Sequence, residues 1–400
     1  MRAKSVSAFP KTVLYVVALN HFTNDGSTGL IATLFPVVIS IFGISKFEVG
    51  IMVAVGYIVN MVFQPLTGRF SERYNSRSLL AFGISVIAIS MILFTISSTL
   101  ASMLLTIILL RFGSSFFHPV GVSTISRNYV GPYLDKSMGF QSAFGNLGNF
   151  VVFLIAAPVY LAFGWRGPFL VFALIDITTV ALTLALLRTH SPQQPAARDE
   201  KPTAPQKKYR LGLPMYFITS MLITGGSYAV FVNFGNILLV QHHFGLSLAD
   251  GLMAGWVASA FFGAFVAGEM TALFGRSRLL ELSYFLSALA SLGFGVFASN
   301  IFIAAPALLV NGFFLSATYP AVYSELSAFL GEKSNKKGSS FGILFSGQII
   351  GSSVLGFLGG FIASTFGLRL AYEIVAALLL AAVGLTALWS RQTEKIVLAR

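Results

Sequence analysis

The sequence predicts an all-α membrane protein: twelve transmembrane helices in two six-helix pseudo-symmetric bundles. Three observations carry this. Hydrophobic residues make up 56% of the 400 and charged residues only 10%, with a mean hydropathy of +0.80. A soluble domain would carry roughly a quarter charged residues. Apolar runs of about 20 residues or more, the length that crosses a bilayer, follow one another along the chain. The basic residues gather on one side of the topology those runs define.

The runs lie near 11–41, 45–68, 77–98, 100–128, 137–163, 165–188, 213–241, 247–273, 277–297, 301–327, 338–363 and 367–389. Gly, Pro and charges punctuate them. Gly43 and Lys46 part the first two, and Gly68 to Arg77 closes the second. Ser97 to Thr99 parts the third from the fourth, Arg127 to Lys136 ends the fourth, and Gly164 to Arg166 ends the fifth. The sixth stops at Arg188. The remaining breaks fall at His242 to Gly245, Gly275 to Arg278, Asn300, Gly331 to Lys337, and Gly367 with Arg369. Runs near 29 residues exceed what a bilayer requires, so they tilt or protrude. The opening MRAKSVSAFPK has no short apolar core before a small-residue cleavage site, so no removable signal peptide is expected.

Of the 26 Lys and Arg, Lys46, Arg166 and Arg369 fall on one side and Arg111 lies within a run; the other 22 share the side of both termini. By the positive-inside rule both termini are cytoplasmic, in a protein of the cytoplasmic membrane. The net charge of +12 is then a topology signal with affinity for anionic membrane lipids, and no nucleic-acid partner is expected. There is no cysteine, which excludes disulfides and thiolate metal sites. The stretch 189–211, rich in Pro, Gln, Ala and Lys, cannot bury a core and reads as a cytoplasmic linker. It divides the chain into an N-terminal bundle, 1–188, and a C-terminal bundle, 212–400.

The halves repeat one another. FGISKFEVGIM from Phe42 aligns with FGLSLADGLM from Phe244, Gly68 with Gly268, and His118-Pro119 with Tyr319-Pro320. Gly139 and Gly148 face Gly342 and Gly351, and GWRGPF from Gly164 faces GLRLAY from Gly367. The offset drifts only from about 200 to 203. Repeats of this kind place a binding site between the halves near the bilayer midplane.

This plan resembles the major facilitator superfamily over essentially the whole chain. GRFSERYNSRSLL, Gly68 to Leu80, is similar to that superfamily's loop signature: Gly68, Glu72, Arg73 and Arg77 match, while Asn75 stands for the usual Gly. The second-half copy, from Gly268, keeps Gly275 and Arg276 but has Ala272 in place of the acid. HFTND, FGSSFFHPVG and SMGFQSAFGNLGN resemble most the fosmidomycin-resistance-like drug exporters within it. The resemblance implies a transporter, not an enzyme. It also implies that spans one and four line a central cavity, and that Gly68, Glu72, Arg73 and Arg77, joined by Arg127, form a cytoplasmic gate. A solvated cluster of loop charges is the alternative for that group.

Charge within a bilayer costs about 2.5–3.5 kcal/mol on insertion scales, so it persists only when paired, neutralised or facing water. Asp25, Arg111 and Asp176 lie mid-run; Glu269, Glu325 and Glu373 lie nearer ends. His21 and Asp25 are four apart, on one helical face. His118 and Arg111, seven apart, share a face too. At about 1.5 Å per residue, His21 and His118 sit about 15 Å from the cytoplasmic ends of their runs, Asp25 about 21 Å and Arg111 about 25 Å. The expectation is a proton site: an Asp25–Arg111 pair that protonation loosens, with His21 and His118 as a path, since imidazole titrates near neutral pH. The alternative is a permanent Asp–Arg staple with the histidines bonded to backbone carbonyls. Asp176 reads as a buried hydrogen-bonded carboxyl.

Asn24, Gln141, Asn146, Tyr228, Asn233, Asn311, Tyr319 and Gln348 are candidate walls of a substrate cavity, mixing amides and hydroxyls with aromatic surface. No HExxH, P-loop, Cys/His metal set or GxSxG occurs, so no cofactor is expected. An enzyme using His21, Asp25 and His118 as a metal or acid–base site stays an alternative that metal analysis would separate. The function expected is secondary active transport by alternating access: a monomeric, proton-coupled antiporter for efflux of small amphipathic or toxic compounds. The alternative is uptake or facilitated diffusion of an organic anion or metabolite, with Arg111 as its partner.

Overall fold

In the computed structural model, residues 11–43, 46–187, 212–331 and 334–398 are described; the linker 189–211 lies outside them, as do the first ten residues. Among the described residues every regular element is an α-helix. In order these are α1 (Lys11–Phe42), α2 (Lys46–Arg73), α3 (Ser76–Ile96), α4 (Leu100–Ser114), α5 (Phe117–Asn128), α6 (Gly131–Phe163), α7 (Arg166–Leu186), α8 (Gly212–Gln241), α9 (Leu246–Phe274), α10 (Arg276–Phe297), α11 (Ile301–Leu330), α12 (Lys337–Thr365) and α13 (Leu368–Leu398). Among the described residues, ten helical stretches are long and apolar enough to cross a membrane, α4 and α5 counting as one. Asn20, His21, Thr23, Asn24, Asp25, Ser27 and Thr28 fill the middle of α1, and Asn60, Gln64 and Thr67 lie along α2.

The helices divide into two compact units: Met1–Thr189 with Ser327–Gly342, and His190–Leu326 with Ile343–Arg400. The short segment that joins the end of α11 to the start of α12 therefore packs with the first unit.

The fourth apolar run is broken rather than continuous. α4 ends at Ser114, Ser115 and Phe116 form a turn, and α5 starts at Phe117. The cause lies four residues on. Pro119 has no N–H to give the Ser115 carbonyl. That carbonyl is instead satisfied by the Thr67 hydroxyl of α2, at 2.7 Å. Beside the ordinary helical bond from Ser115 N–H to Arg111 O, the turn closes with two tighter ones, Ser115 N–H to Phe112 O and Phe116 N–H to Gly113 O.

In the first unit α1 packs against α6 and α7 in two different ways. Against α6 the contact is close and made by glycine. A methyl group on Gly148 would fall on the Phe22 carbonyl oxygen and 3.0 Å from Gly26 N; one on Gly26 would meet Phe172 at 3.0 Å and Gly148 O at 3.5 Å. Small residues at such a crossing let backbones approach inside a membrane. Against α7 the contact is a buried ladder of hydrogen bonds. Asn20 donates to Thr183 Oγ1 at 2.8 Å, the Thr23 and Thr179 hydroxyls pair at 2.8 Å, and Ser27 donates to Asp176 Oδ1 at 2.7 Å. Ascending residues on α1 meet descending residues on α7, so the two run antiparallel. An apolar cluster around Ile87, Met91, Phe94, Ile107, Leu110, Phe169 and Phe172 joins α3, α4 and α7, with Phe94 and Phe169 stacked at 5.0 Å.

The second unit repeats the glycine crossing. A methyl group on Gly351 of α12 would fall on the Leu222 carbonyl of α8, and one on Gly226 would meet Gly351 O at 3.0 Å. Phe22 and Leu222, and Gly26 and Gly226, stand 200 residues apart, so this crossing fixes the register between α1 and α8. The counterparts of His21 and Asp25 are therefore Met221 and Gly225.

Candidate functional site

The first unit gathers His21, Asp25 and His118 into one cluster. His21 Nε2 lies 3.2 Å from Asp25 Oδ2, and His118 Nε2 lies 3.8 Å from Asp25 Oδ1. Asn24 donates its amide N–H to Asp25 Oδ1 at 2.9 Å. The two imidazole rings meet edge-on, with centroids 5.3 Å apart, and Phe117 packs on His21 at 4.5 Å. The His21 side chain is 7% exposed, while Asp25 and His118 stand 21% and 23% exposed.

Local sequence explains each placement. The i, i+4 spacing on α1 sets His21 beside Asp25. His118, in the first turn of α5, reaches Asp25 of α1. Gly145 on α6 supplies the room: a methyl group there would meet Asp25 Oδ2 at 2.8 Å and come closer still to His21 Nε2. Gly145 was not among the residues the sequence singled out for function. The pair Gly145 and Gly148, one helical turn apart and facing a polar α1, is the signal that marks it.

The protonation pattern follows from one bond. His21 Nδ1 lies 2.6 Å from the backbone carbonyl of Gln141. A carbonyl only accepts, so Nδ1 carries hydrogen and donates. A neutral His21 then turns a bare lone pair on Nε2 toward a carboxylate oxygen 3.2 Å away. Two acceptors facing at that distance call for a cation, a proton or a metal ion, between them.

Arg111 is placed elsewhere. Its guanidinium carbon lies 5.6 Å over the Tyr57 ring, and its stem packs where Gly56 leaves space on α2. Among the described residues no ion pair within 4.0 Å joins it to Asp25. The expected Asp25–Arg111 pair is thus replaced by an Asp25–histidine cluster.

Of the other candidate positions in this unit, Asn24 and Gln141 are buried and Asn146 is half-buried. Gln141 donates to Met138 O and Ser142 Oγ, and its Oε1, like Asn24 Oδ1, is a buried acceptor with no hydrogen-bond partner. Asp176 is fully buried against Ser27, in keeping with a hydrogen-bonded carboxyl.

The loop signature also assembles within the first unit. Glu72 Oε1 accepts from Ser339 N–H at 2.9 Å and from the Ser339 hydroxyl, at the start of α12. An acid there satisfies free N–H groups and faces the positive end of the helix dipole. Gly68 allows the approach, because a methyl group on it would strike Gly338 O. Arg127 donates to Ser71 O at 2.9 Å, and the buried Lys337 amine donates to Ser126 O at 2.6 Å. Arg77 reaches away, to Leu184 O, and Arg73 is exposed. Asn75 caps α3 by accepting from Arg77 N–H at 2.8 Å. Ser71, Ser339 and Lys337 had no motif to announce them.

In the second unit the candidate positions are more dispersed. Tyr228 packs on Trp256 at 5.1 Å, and Tyr319 faces Tyr323 at 6.3 Å. Asn233 is exposed, its amide bonded back to Ala229 O. Gln348 fills the space beside Gly225. Asn311 is wholly buried: it accepts from Trp256 Nε1 at 3.0 Å and donates to Ser287 O and Ser291 Oγ. Its amide ties α9, α10 and α11 together and does not line a cavity wall in this state. Glu325 accepts from Trp389, and Glu373 pairs with Arg369 at 2.7 Å.

Comparison with known proteins agrees with this architecture. The Major Facilitator Superfamily pattern matches residues 17–265 and 216–397. The fosmidomycin resistance protein of Escherichia coli (strain K12) is 22% identical over 373 residues, 92% of this chain and 90% of that protein. Multidrug resistance protein 1 of Bacillus subtilis (strain 168) is 24% identical over 390 residues, 94% of this chain and 96% of that one. Among solved structures, the human organic anion transporter MFSD10 (TETRAN) superposes with a TM-score of 0.77 at 16% identity, covering 94% of this chain and 99% of its own. At that identity the likeness speaks for the fold alone. With a polar, cation-demanding cluster set among apolar helices and the superfamily pattern spanning nearly its whole length, this chain belongs to the Major Facilitator Superfamily, a family of membrane transporters and not of enzymes.

Proposed function

We propose that this chain is a proton-coupled antiporter that exports small amphipathic or toxic compounds by alternating access. It crosses the cytoplasmic membrane twelve times as a monomer, in two six-span bundles joined by the linker 189–211, with both termini cytoplasmic. The observation that carries the reading is the facing of His21 Nε2 and Asp25 Oδ2 at 3.2 Å with His21 Nδ1 already committed to Gln141 O. That arrangement holds one exchangeable proton in a part-exposed pocket among apolar helices. Asp25 is the acceptor, His21 shares the proton, and His118 stands next in line. Export is supported by the two drug-resistance relatives. Glu72 on the start of α12, with Gly68 and Arg127 beside it, supports a gate that opens when that bond is released. Asn24, Gln141, Asn146, Tyr228, Asn233, Tyr319 and Gln348 remain the candidate contacts for substrate.

The test uses proteoliposomes loaded with substrate. Transport driven by a proton gradient is expected in the wild type. Asp25→Asn is expected to lower gradient-driven transport at least tenfold, or about 1.4 kcal/mol, while sparing substrate exchange. Normal, equally pH-dependent transport by Asp25→Asn would refute the assignment.

A second reading rests on Arg111. Unpaired with Asp25 and lying over an aromatic ring, it is available to an organic anion or metabolite in an uptake or facilitated-diffusion cycle. Under that reading Arg111→Lys weakens substrate affinity and leaves the proton dependence unchanged.

A further inference from the structure

The cluster has the composition and size of a transition-metal site as well as a proton site. The geometry points to binding of one divalent ion of the zinc class (Zn²⁺, Co²⁺ or Ni²⁺) by His21 Nε2, Asp25 and His118 Nε2. This deepens the cation-site reading above. It rests on the same side chains but on a different property of them.

Three observations support it. The ligand atoms of His21, Asp25 and His118 all lie within 4.8 Å of one another. A tetrahedral zinc-class ion, with bonds near 2.0–2.2 Å, holds its ligands about 3.3 Å apart. The His21–Asp25 separation of 3.2 Å already has that span, and His118, 3.8 Å from the other carboxylate oxygen and within 4.8 Å of the other ligand atoms, needs to close by at most about 1.5 Å. Next, the Gln141 carbonyl holds His21 Nδ1 at 2.6 Å. Metal-binding histidines are oriented in this way: the far ring nitrogen donates to a carbonyl or carboxylate, which leaves the near one bare for the metal. Lastly, the Asn24 side chain is 1% exposed and its Oδ1 is a buried acceptor without a partner, on the residue next to Asp25. It is one candidate for a fourth ligand; a water or an acidic group on the cargo is the other.

The donor set also sets the selectivity. Two imidazole nitrogens and one carboxylate suit zinc, cobalt and nickel, whereas magnesium and calcium prefer oxygen alone. The part-exposed Asp25 and His118 give the ion a way in. The sequence offered these three residues as a metal or acid–base alternative, but the ligands come from α1 and α5, with Asp25 and His118 93 residues apart and no metal-motif spacing.

The experiment titrates Co²⁺ into the purified full-length protein, prepared without a polyhistidine tag. Binding is read by calorimetry and by visible absorption, with Zn²⁺ as competitor. One equivalent of Co²⁺ is expected, displaced by Zn²⁺ and not by Mg²⁺. Asp25→Asn and His118→Gln are each expected to lose that equivalent. A variant with His190, His242 and His243 changed to alanine, which removes the other three histidines, is expected to keep it. His118 carries the test because it is the most exposed of the three ligands; its variant is checked for folding by circular dichroism and gel filtration. Absence of a one-equivalent site in the wild type, its survival in folded His118→Gln, or its loss on removing the other three histidines each overturns the proposal. Proton-driven transport is measured on the same preparations. A protein that follows a proton gradient but binds no Co²⁺ loses the metal site and keeps the transport reading. One that binds Co²⁺ but ignores the gradient does the reverse.

Discussion

The α1–α6 crossing of the first unit and the α8–α12 crossing of the second share one framework with opposite fillings. In both, a glycine on the later helix, Gly148 or Gly351, lets a carbonyl of the earlier helix, from Phe22 or Leu222, come close. Beside it the contents are exchanged. In the first unit Asp25 projects from the early helix and Gly145 leaves it room. In the second, Gly225 stands on the early helix, and a methyl group there would meet the Gln348 side chain at 2.7 Å. At the register of the crossing Asp25 corresponds to Gly225, and Gly145 to Gln348. The two crossings share the backbone approach, with the polar side chain on the early helix in one and on the later helix in the other; at this position the first holds a carboxylate and the second an uncharged amide.

Breaking the shared framework should have the largest effect, and an equal one in both units. Gly148→Leu and Gly351→Leu each place atoms on a carbonyl oxygen, so the helices must separate. Overpacking of this kind costs roughly 1–3 kcal/mol or more. Both variants are expected to express poorly or to lose several degrees in Tm by thermal unfolding in detergent. A silent Gly351→Leu would break the equivalence.

Swapping the fillings should have a smaller effect and a diagnostic sign. Gly225→Asp crowds Gln348 and adds a buried charge, so it should destabilise. Gln348→Gly alone opens a void. The double variant is expected to be more stable than the sum of the single effects predicts, with a coupling of about 0.5–3 kcal/mol. Additive losses would mean that the two positions do not complement each other.

The other equivalent pair is His118-Pro119 and Tyr319-Pro320. The first proline coincides with a break between α4 and α5; around the second, α11 runs on from Ile301 to Leu330. Thr67 marks the difference, because its hydroxyl accommodates the freed Ser115 carbonyl. Thr67→Val should cost about 1 kcal/mol in the wild type. It should cost much less in Pro119→Ala, where the restored N–H can serve Ser115. Thermal unfolding of the four proteins measures this. Equal costs in both backgrounds would show that the break has another cause. The smallest effect expected is that of Asn75→Ala, which removes the cap of α3 and should cost about 1 kcal/mol or less in the same assay.

Much of the fold was legible because hydropathy is a local quantity. Each of the twelve apolar runs coincides with helix, usually within a few residues at either end. The exception at span four was also written locally, in Pro119, but the sequence could not say whether a partner would be found for the freed carbonyl. Within the candidate site, His21 and Asp25 were legible together because a helix places residues four apart on one face. The Asp25–Arg111 pair was not legible as absent, because spacing along one helix does not say which side chain of a neighbouring helix reaches the carboxylate first; here the histidines do. Gly145, Thr67 and Ser339 went unnoticed, since what each does depends on a residue more than forty positions away.

Sequence alone determined the solvent, the helices, the internal repeat and the presence of charge that an apolar environment would reject. These follow from composition and periodicity, which need no knowledge of neighbours. Tertiary structure decided which groups meet that charge: Asp25 lies between two histidines and not beside an arginine. It also decided which nitrogen of His21 is bare and which glycine made room. Those choices depend on backbone bends and helix separations of an ångström or two, and only the packed chain sets them.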